Sequence, residues 1–256
     1  MNGFPASAAP APAAPILRLT GTTKRFADTL VLDRIDLALA EGEFICLIGA
    51  SGCGKSTLLS LMAGLDKPTS GTVWAGSARP ALMFQDHALF PWLTAGQNIE
   101  LALELRGMPR RHRTVEARRL LRMVRLDGAH GKRIHELSGG MRQRVALARA
   151  LAQDSRILLM DEPFAALDAI TRDMLHEVLD DVRAHTPVSV AFVTHNVREA
   201  VRLGDRVLLF SSRPGRVTHE WPVDIPRPRR IEDRDVADLA GEITEHLRKE
   251  IRRHVS

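Results

Sequence analysis

Phe44-Ile45-Cys46-Leu47-Ile48-Gly49-Ala50-Ser51-Gly52-Cys53-Gly54-Lys55-Ser56-Thr57 decides how this chain is read. Five consecutive apolar residues are the pattern of a central strand buried on both faces. They run straight into a glycine-rich segment, followed by an apolar helix expected over residues 57–63, which is the setting of a phosphate-binding loop. Glycines at 49, 52 and 54 let successive backbone N–H groups of residues 49–57 point inward at phosphate oxygens, and the helix N-terminus adds positive potential. Lys55 is expected to reach the β- and γ-phosphates, and the Ser56 hydroxyl to coordinate the Mg²⁺ that bridges them.

A second apolar run, Ile157-Leu158-Leu159-Met160, delivers two adjacent carboxylates, Asp161 and Glu162, to its polar end. Taken alone, an Asp-Glu pair is an ordinary solvated turn. Beside a phosphate loop, Asp161 is the expected holder of the Mg²⁺ shell and Glu162 the group that orients and deprotonates an attacking water. Two further buried strands are expected at residues 188–193 and 207–210, and alternation at residues 16–20 and at Ile35, Leu37 and Leu39 predicts half-buried antiparallel strands. Residues 98–137 are Arg-rich and helical in pattern (Val115, Leu120, Leu121, Val124), with Gly107 and Pro109 breaking them into an inserted helical subdomain. From residue 224 a Pro/Arg segment cannot form a central strand, and residues 235–254 form an amphipathic helix with Leu239, Ile243 and Leu247 on one stripe. The fold class is α/β: a P-loop NTPase core of mixed sheet with helices on both faces, antiparallel N-terminal strands, and the helical insertion. The expected division is a tail at 1–15, a nucleotide-binding domain at 16–223, and a linker with C-terminal helix at 224–256.

The chain has 256 residues, of which 45% are hydrophobic and 26% charged. That is enough to bury a large core and excludes a disordered chain. No stretch approaches the roughly 20 apolar residues a spanning helix needs, so any membrane role is peripheral. Residues 1–15 are Ala/Pro-rich, without the basic start of a secretory signal, and read as a flexible tail on a cytosolic protein. The two cysteines, Cys46 and Cys53, lie in one strand-and-loop segment and staple nothing. Cys53, at a helix N-terminus, is either a small filler or a thiol with raised reactivity that bound nucleotide would protect. A formal charge of +5 is small for this length and reads as a solvated face rather than a nucleic-acid footprint.

With these motifs in place, Leu137-Ser138-Gly139-Gly140-Met141 is the string that identifies a family: residues 16–223 resemble an ABC transporter ATPase. Ser138 is suited to cap the following helix and aim its N-terminus at a phosphate. The resemblance implies whose phosphate: Ser138, Gly139 and Gly140 of one subunit close over ATP held by the loop of another, so two sites form only in a homodimer. It also implies that Gln85 senses Mg²⁺ and water while its loop contacts a transmembrane permease, that Asp168 speaks across the dimer, that His195 contacts the γ-phosphate and holds Glu162, and that Phe26 stacks on adenine. Met141 and Ala165 replace the commoner Gln and Ser of the family without removing a catalytic group. The implied activity is ATP hydrolysis on the cytoplasmic face of the cell membrane, with permease subunits and a substrate-binding protein in the complex and no nucleic acid. Phe90-Pro91-Trp92-Leu93 offers apolar anchors for that permease.

The same Phe90 to Thr94 run, the Arg213-Pro214-Gly215-Arg216-Val217 turn and the closing Val223 to Arg230 segment resemble the nitrate/sulfonate/taurine group of importer ATPases. Two rivals are weighed. An ABC ATPase of DNA repair shares the active-site residues, but the stretch between Gln85 and Ser138 is short and lacks sustained heptads. A non-hydrolysing regulatory subunit is expected to lose Glu162, His195 or the signature glycines, and all are present.

Overall fold

Every side chain of β3 (Phe44–Gly49) is buried, so the strand needs neighbours on both edges and cover on both faces. The computed structural model, which describes residues 14–255, supplies both. β3 pairs in parallel with β7 (Ser189–Val193) on one side and β8 (Arg206–Phe210) on the other. β6 (Ile157–Asp161) lies beyond β7, and β5 (Ala81–Met83) beyond β6. β9 (Val217–Pro222) closes the opposite edge antiparallel to β8, giving the order β5-β6-β7-β3-β8-β9. A separate antiparallel sheet, β2-β1-β4, is made of β1 (Pro15–Phe26), β2 (Thr29–Ala40) and β4 (Ser70–Trp74).

The two-residue period of these strands sorts their side chains into two cores. Phe44, Cys46 and Ile48 join Leu158, Met160, Val190 and Phe192 against the helices that follow β5. Those are α2 (Ala95–Leu105), α3 (Arg110–Met123), α4 (Gly139–Leu151), α5 (Ala169–His185) and α6 (Val197–Leu203). Ile45, Leu47, Leu159 and Val193 face the other way, onto α1 (Lys55–Met62) and the inward side chains of β1 and β2. The mixed sheet with helices on both faces is therefore the α/β fold expected from the apolar runs.

Several details differ from the pattern. The tail expected over residues 1–15 lies outside the described residues except for Ala14 and Pro15, and Pro15 already opens β1. The first helix starts at Lys55, inside the loop motif, rather than at residue 57. Of the expected stripe, Leu120, Leu121 and Val124 are buried but Val115 is 70% exposed, and Ala117 takes its place on the buried face of α3. β4, β5 and β9 carry weak strand signals, whereas α5 carries a plain helical stripe of Leu175, Val178, Leu179 and Val182, all buried. β4 is almost wholly exposed and β5 is three residues long.

The Pro/Arg linker is more than a charged spacer. Arg229 is buried and donates to four carbonyls: Val201 (3.0 Å) and Gly204 (2.5 Å) at the end of α6, Val223 (2.8 Å), and Ile225 (2.7 Å). A cation at a helix C-terminus satisfies carbonyls that have no intrahelical partner. Burial, then the nearby Arg227, pull its pKa down to about 10, still high enough to keep the charge at neutral pH. Just beyond it α7 (Arg234–Val255) lies on the domain through Val236, Ala240 and Ile243, with Leu239 and Leu247 packed alongside.

Arg229→Leu should leave three buried carbonyls and one half-buried one without this donor and cost about 3 kcal/mol. The solvent-facing Arg234→Leu should cost less than about 0.5 kcal/mol. Chemical unfolding of both variants checks the difference.

Candidate active site

Parallel strands with a common direction end on a common edge, and there the sheet collects its functional groups. β3 leads into the loop, β6 into Asp161 and Glu162, and β7 into Thr194 and His195. Gly54 caps α1 with φ +100°, and a Cβ there would lie 2.8 Å from Leu32 Cδ2 and 3.1 Å from Val31 Cγ1, so the turn presses against β2 where only glycine fits. Lys55 is almost fully buried. Its ammonium donates to the carbonyls of Gly49 (2.8 Å) and Ala50 (2.9 Å), which hold the charge under the loop.

A cleft of about 470 Å³ opens above it, lined by Phe26, Val31, Ser51, Gly52, Gly54, Lys55, Ser56, Thr57, Gln85, Asp161, Glu162 and Arg213. Of the residues expected to bind nucleotide, the cleft therefore gathers Phe26, the loop and Gln85 with both carboxylates. Phe26 sits at the mouth, 50% exposed, with Lys24 Nζ 4.7 Å from its ring centroid. Gly49, Ala50 and Cys53 do not line the cleft. The first two instead hold Lys55 through their carbonyls.

Cys53 is 1% exposed and belongs to the core beneath the sheet, where its Sγ accepts from Lys55 Nζ at 3.6 Å. The reactive-thiol alternative is corrected by this burial: packing under the loop leaves the sulfur no solvent-facing side.

The two adjacent carboxylates part because Glu162 adopts φ +43°, a left-handed conformation costly for a side chain. Its N–H donates to Val193 O (3.0 Å), so the turn is pinned to β7. Asp161 stays beside Ser56 on the cleft. Burial raises the Asp161 pKa above the usual carboxylate value, and the nearby Ser56 hydroxyl only partly offsets this. Glu162 Oε2 meets His195 Nδ1 at 3.2 Å, joining the end of β6 to the end of β7.

Beneath this pair lies a group that no sequence motif marked. Glu199 is buried and carries two bonds: His176 Nε2 of α5 at 2.7 Å, and the hydroxyl of Thr194, the residue before His195. Asn196 accepts from the N–H groups of Arg198 and Glu199 and caps α6, and its own N–H donates to Thr194 Oγ1 (3.0 Å). Glu199 thus positions the backbone that presents His195. Only its place four residues after His195 hints at this, since a helical Glu is ordinarily solvated.

The remaining expected residues form a second cluster, none of which lines the cleft. Ser138 caps α4 by accepting from Met141 N (3.3 Å), as its residue type suggests. Asp168 caps α5, accepting from Thr171 N (2.9 Å) and Thr171 Oγ1 (2.7 Å), bonds that hold its carboxyl below the usual range. A Cβ on Gly140 would lie 2.2 Å from Thr171 Cγ2, so the glycine lets α4 and α5 meet.

Residues 32–165 match the family model described as ABC transporter. A taurine import ATP-binding protein of Burkholderia pseudomallei is 47% identical over 203 residues, covering 77% of this chain and 78% of the relative. A nitrate import ATP-binding protein of Synechocystis is 45% identical over 204 residues, 77% of each. Among solved structures, a dimeric bacterial ABC transporter cassette superposes with TM-score 0.73 at 32% identity, covering 82% of this chain and 100% of that one.

Because the Asp161 pKa is raised, folding is penalised as pH climbs through the window above 3.8, where the buried carboxyl must ionise. Asp161→Asn should therefore melt above the wild type at pH 7 without ligand, and the gap should close as pH is lowered toward that window. Thermal unfolding across pH reads both.

Proposed function

The chain belongs to the ABC transporter family, and from that membership we propose that it drives an importer for taurine, another aliphatic sulfonate or nitrate. The chain is an ATP-binding and ATP-hydrolysing subunit. The observation that carries the reading of its site is the convergence of Lys55, Ser56, Gln85, Asp161 and Glu162 on one cleft, with His195 bonded to Glu162.

In this reading adenine stacks on the exposed face of Phe26 and the triphosphate lies along residues 49–57. The Ser56 hydroxyl, the Asp161 carboxylate and the Gln85 amide are hard oxygen donors, and their small number suits Mg²⁺, which keeps waters and shares its shell with substrate phosphates. These three groups would hold the cation, and it would supply positive charge to the phosphates. Glu162 orients a water and takes its proton as the oxygen attacks the γ-phosphorus and the bond to the bridging oxygen breaks. His195 keeps Glu162 turned toward that water and reaches the γ-phosphate itself.

Ser138, Gly139, Gly140 and Asp168 stand apart from the cleft of their own chain, which suits a role over nucleotide held by a second copy. A homodimer with two ATP sites follows, and the dimeric form of the similar cassette supports it. Trp92 is 67% exposed, with Pro91 exposed and Phe90 and Leu93 half-buried beside it. Its ring lies 5.4 Å from that of Phe90, a paired aromatic anchor for a permease helix. No described helix is long and apolar enough to cross a membrane. In this reading the permease supplies the spanning segments and the chain sits on its cytoplasmic side. A substrate-binding protein completes the proposed importer.

Glu162→Gln should bind ATP and pair two copies while kcat falls about 100-fold or more. Size-exclusion chromatography with ATP, beside a phosphate-release assay, reads both, and full turnover by the variant removes Glu162 as base. For the solute, ATPase of the complex reconstituted with its permease and binding protein should rise with taurine or nitrate, and a rise only with an unrelated solute rejects the assignment.

A further inference from the structure

The turn between β8 and β9, Arg213-Pro214-Gly215-Arg216, has no role in the hydrolysis proposed for the cleft. Its backbone is clamped between β2 and the phosphate loop. Gly215 N donates to Val31 O (2.8 Å), and Gly215 O accepts from Asp33 N (3.0 Å). A Cβ on Gly215 would lie 2.2 Å from Cys53 O, so the turn touches the loop backbone directly. Arg216 fixes the same turn through Nε to Asp33 Oδ2 at 2.9 Å.

From this clamp Arg213 reaches forward. Its Nε donates to Gly52 O at 2.8 Å, across 161 residues of sequence. Its Nη2 would lie 3.4 Å from a Cβ built on Gly52, so the guanidinium lies along that part of the loop and lines the cleft. Arg213 and Lys55 are the two Lys or Arg side chains lining the cleft, against the carboxylates Asp161 and Glu162. Lys55 is buried beneath the loop on two carbonyls, whereas Arg213 is exposed on the rim. A guanidinium has five N–H donors in a planar fork and stays charged at any working pH. With one donor spent on Gly52, the others are free to meet an oxyanion.

We propose that Arg213 is a further nucleotide-binding residue: it fixes the loop at Gly52 and meets the polyphosphate of the nucleotide from the rim. The inference rests on the ATPase reading of the cleft. The clamp gives the side chain a fixed origin, so little ordering is needed when phosphate arrives.

ADP avoids turnover and carries a polyphosphate, so its Kd is measured by calorimetry on the full chain, wild type against Arg213→Ala, Arg213→Lys and Arg216→Ala. Arg213→Ala should weaken ADP about fivefold or more. The loss should shrink between about 50 and about 300 mM NaCl, as screening predicts for a charge contact. Arg213→Lys should fall between Arg213→Ala and wild type, keeping the charge without the fork. Arg216 anchors the turn but does not line the cleft, so Arg216→Ala should keep most of the affinity. An unchanged Kd in Arg213→Ala overturns the proposal, as does a salt-insensitive loss that Arg216→Ala reproduces in full, because the turn's anchoring alone would then explain it. Absence of ADP binding by the wild type would instead overturn the ATPase reading itself.

Discussion

A strand buried on both faces can carry polar groups only where it ends, and three such strands lie side by side here. β6, β7 and β3 pair in parallel, so their carboxyl ends fall on one edge, and each hands over a different chemical part. β3 gives the loop that holds a cation under its own carbonyls, β6 gives two carboxylates, and β7 gives the histidine. Had any of the three run antiparallel, its polar end would lie at the far side of the sheet. The site is thus a consequence of parallel pairing, and that pairing is a consequence of apolar runs that demand cover on both faces.

Parallel pairing brings the groups together without aiming them, and the aiming costs energy. Glu162 is held in a left-handed conformation, with its N–H tied to Val193. Behind it a buried carboxylate, Glu199, is held by His176 and Thr194, where an unpartnered charge would be expensive. His176 in turn packs edge-on against Phe164, and Phe164 against Phe192 of β7. The residues flanking both Glu162 and His195 are therefore locked by packing and hydrogen bonds, which keeps a 3.2 Å contact at the surface reproducible.

What the sequence made legible follows from whether a signal is local. The loop, the Asp161-Glu162 pair and the apolar runs are each contiguous, so their periodicity and residue types announce the buried sheet and the parts on its edge. The capping roles of Ser138 and Asp168 are local as well. Arg213 joins its loop across 161 residues, and His176 meets Glu199 across 23, so no window of sequence contains either pair. Arg229 was hidden differently: in a run of arginines and prolines its charge suggests solvent, yet four carbonyls gathered from α6 and the linker make it an internal staple. The stripe on α7 was visible, but nothing in it names the surface it covers. Cys53 misled in the opposite sense, since its place beside a helix start suggests reactivity until packing removes its access.

The two clusters of the site are not independent within one chain, and this constrains how a proposed dimer can transmit work. His87, two residues after Gln85, contacts Gly139 O at 3.2 Å, and Arg149 of α4 donates to the carbonyls of His87 and Ala88. Asn98 holds Phe90 at both its N–H and its carbonyl, and Arg133 donates to Trp92 O. The segment from His87 to Trp92, which follows Gln85 in the chain, is therefore hydrogen-bonded to α4, Asn98 and Arg133. If a second copy's nucleotide draws the start of α4 inward, the segment carrying Trp92 is drawn with it, because His87 is bonded to Gly139 and, with Ala88, to Arg149 of the same helix. An apolar anchor on a loose loop would absorb such a displacement; one fixed at residues 90, 92 and 98 passes it to whatever is docked there.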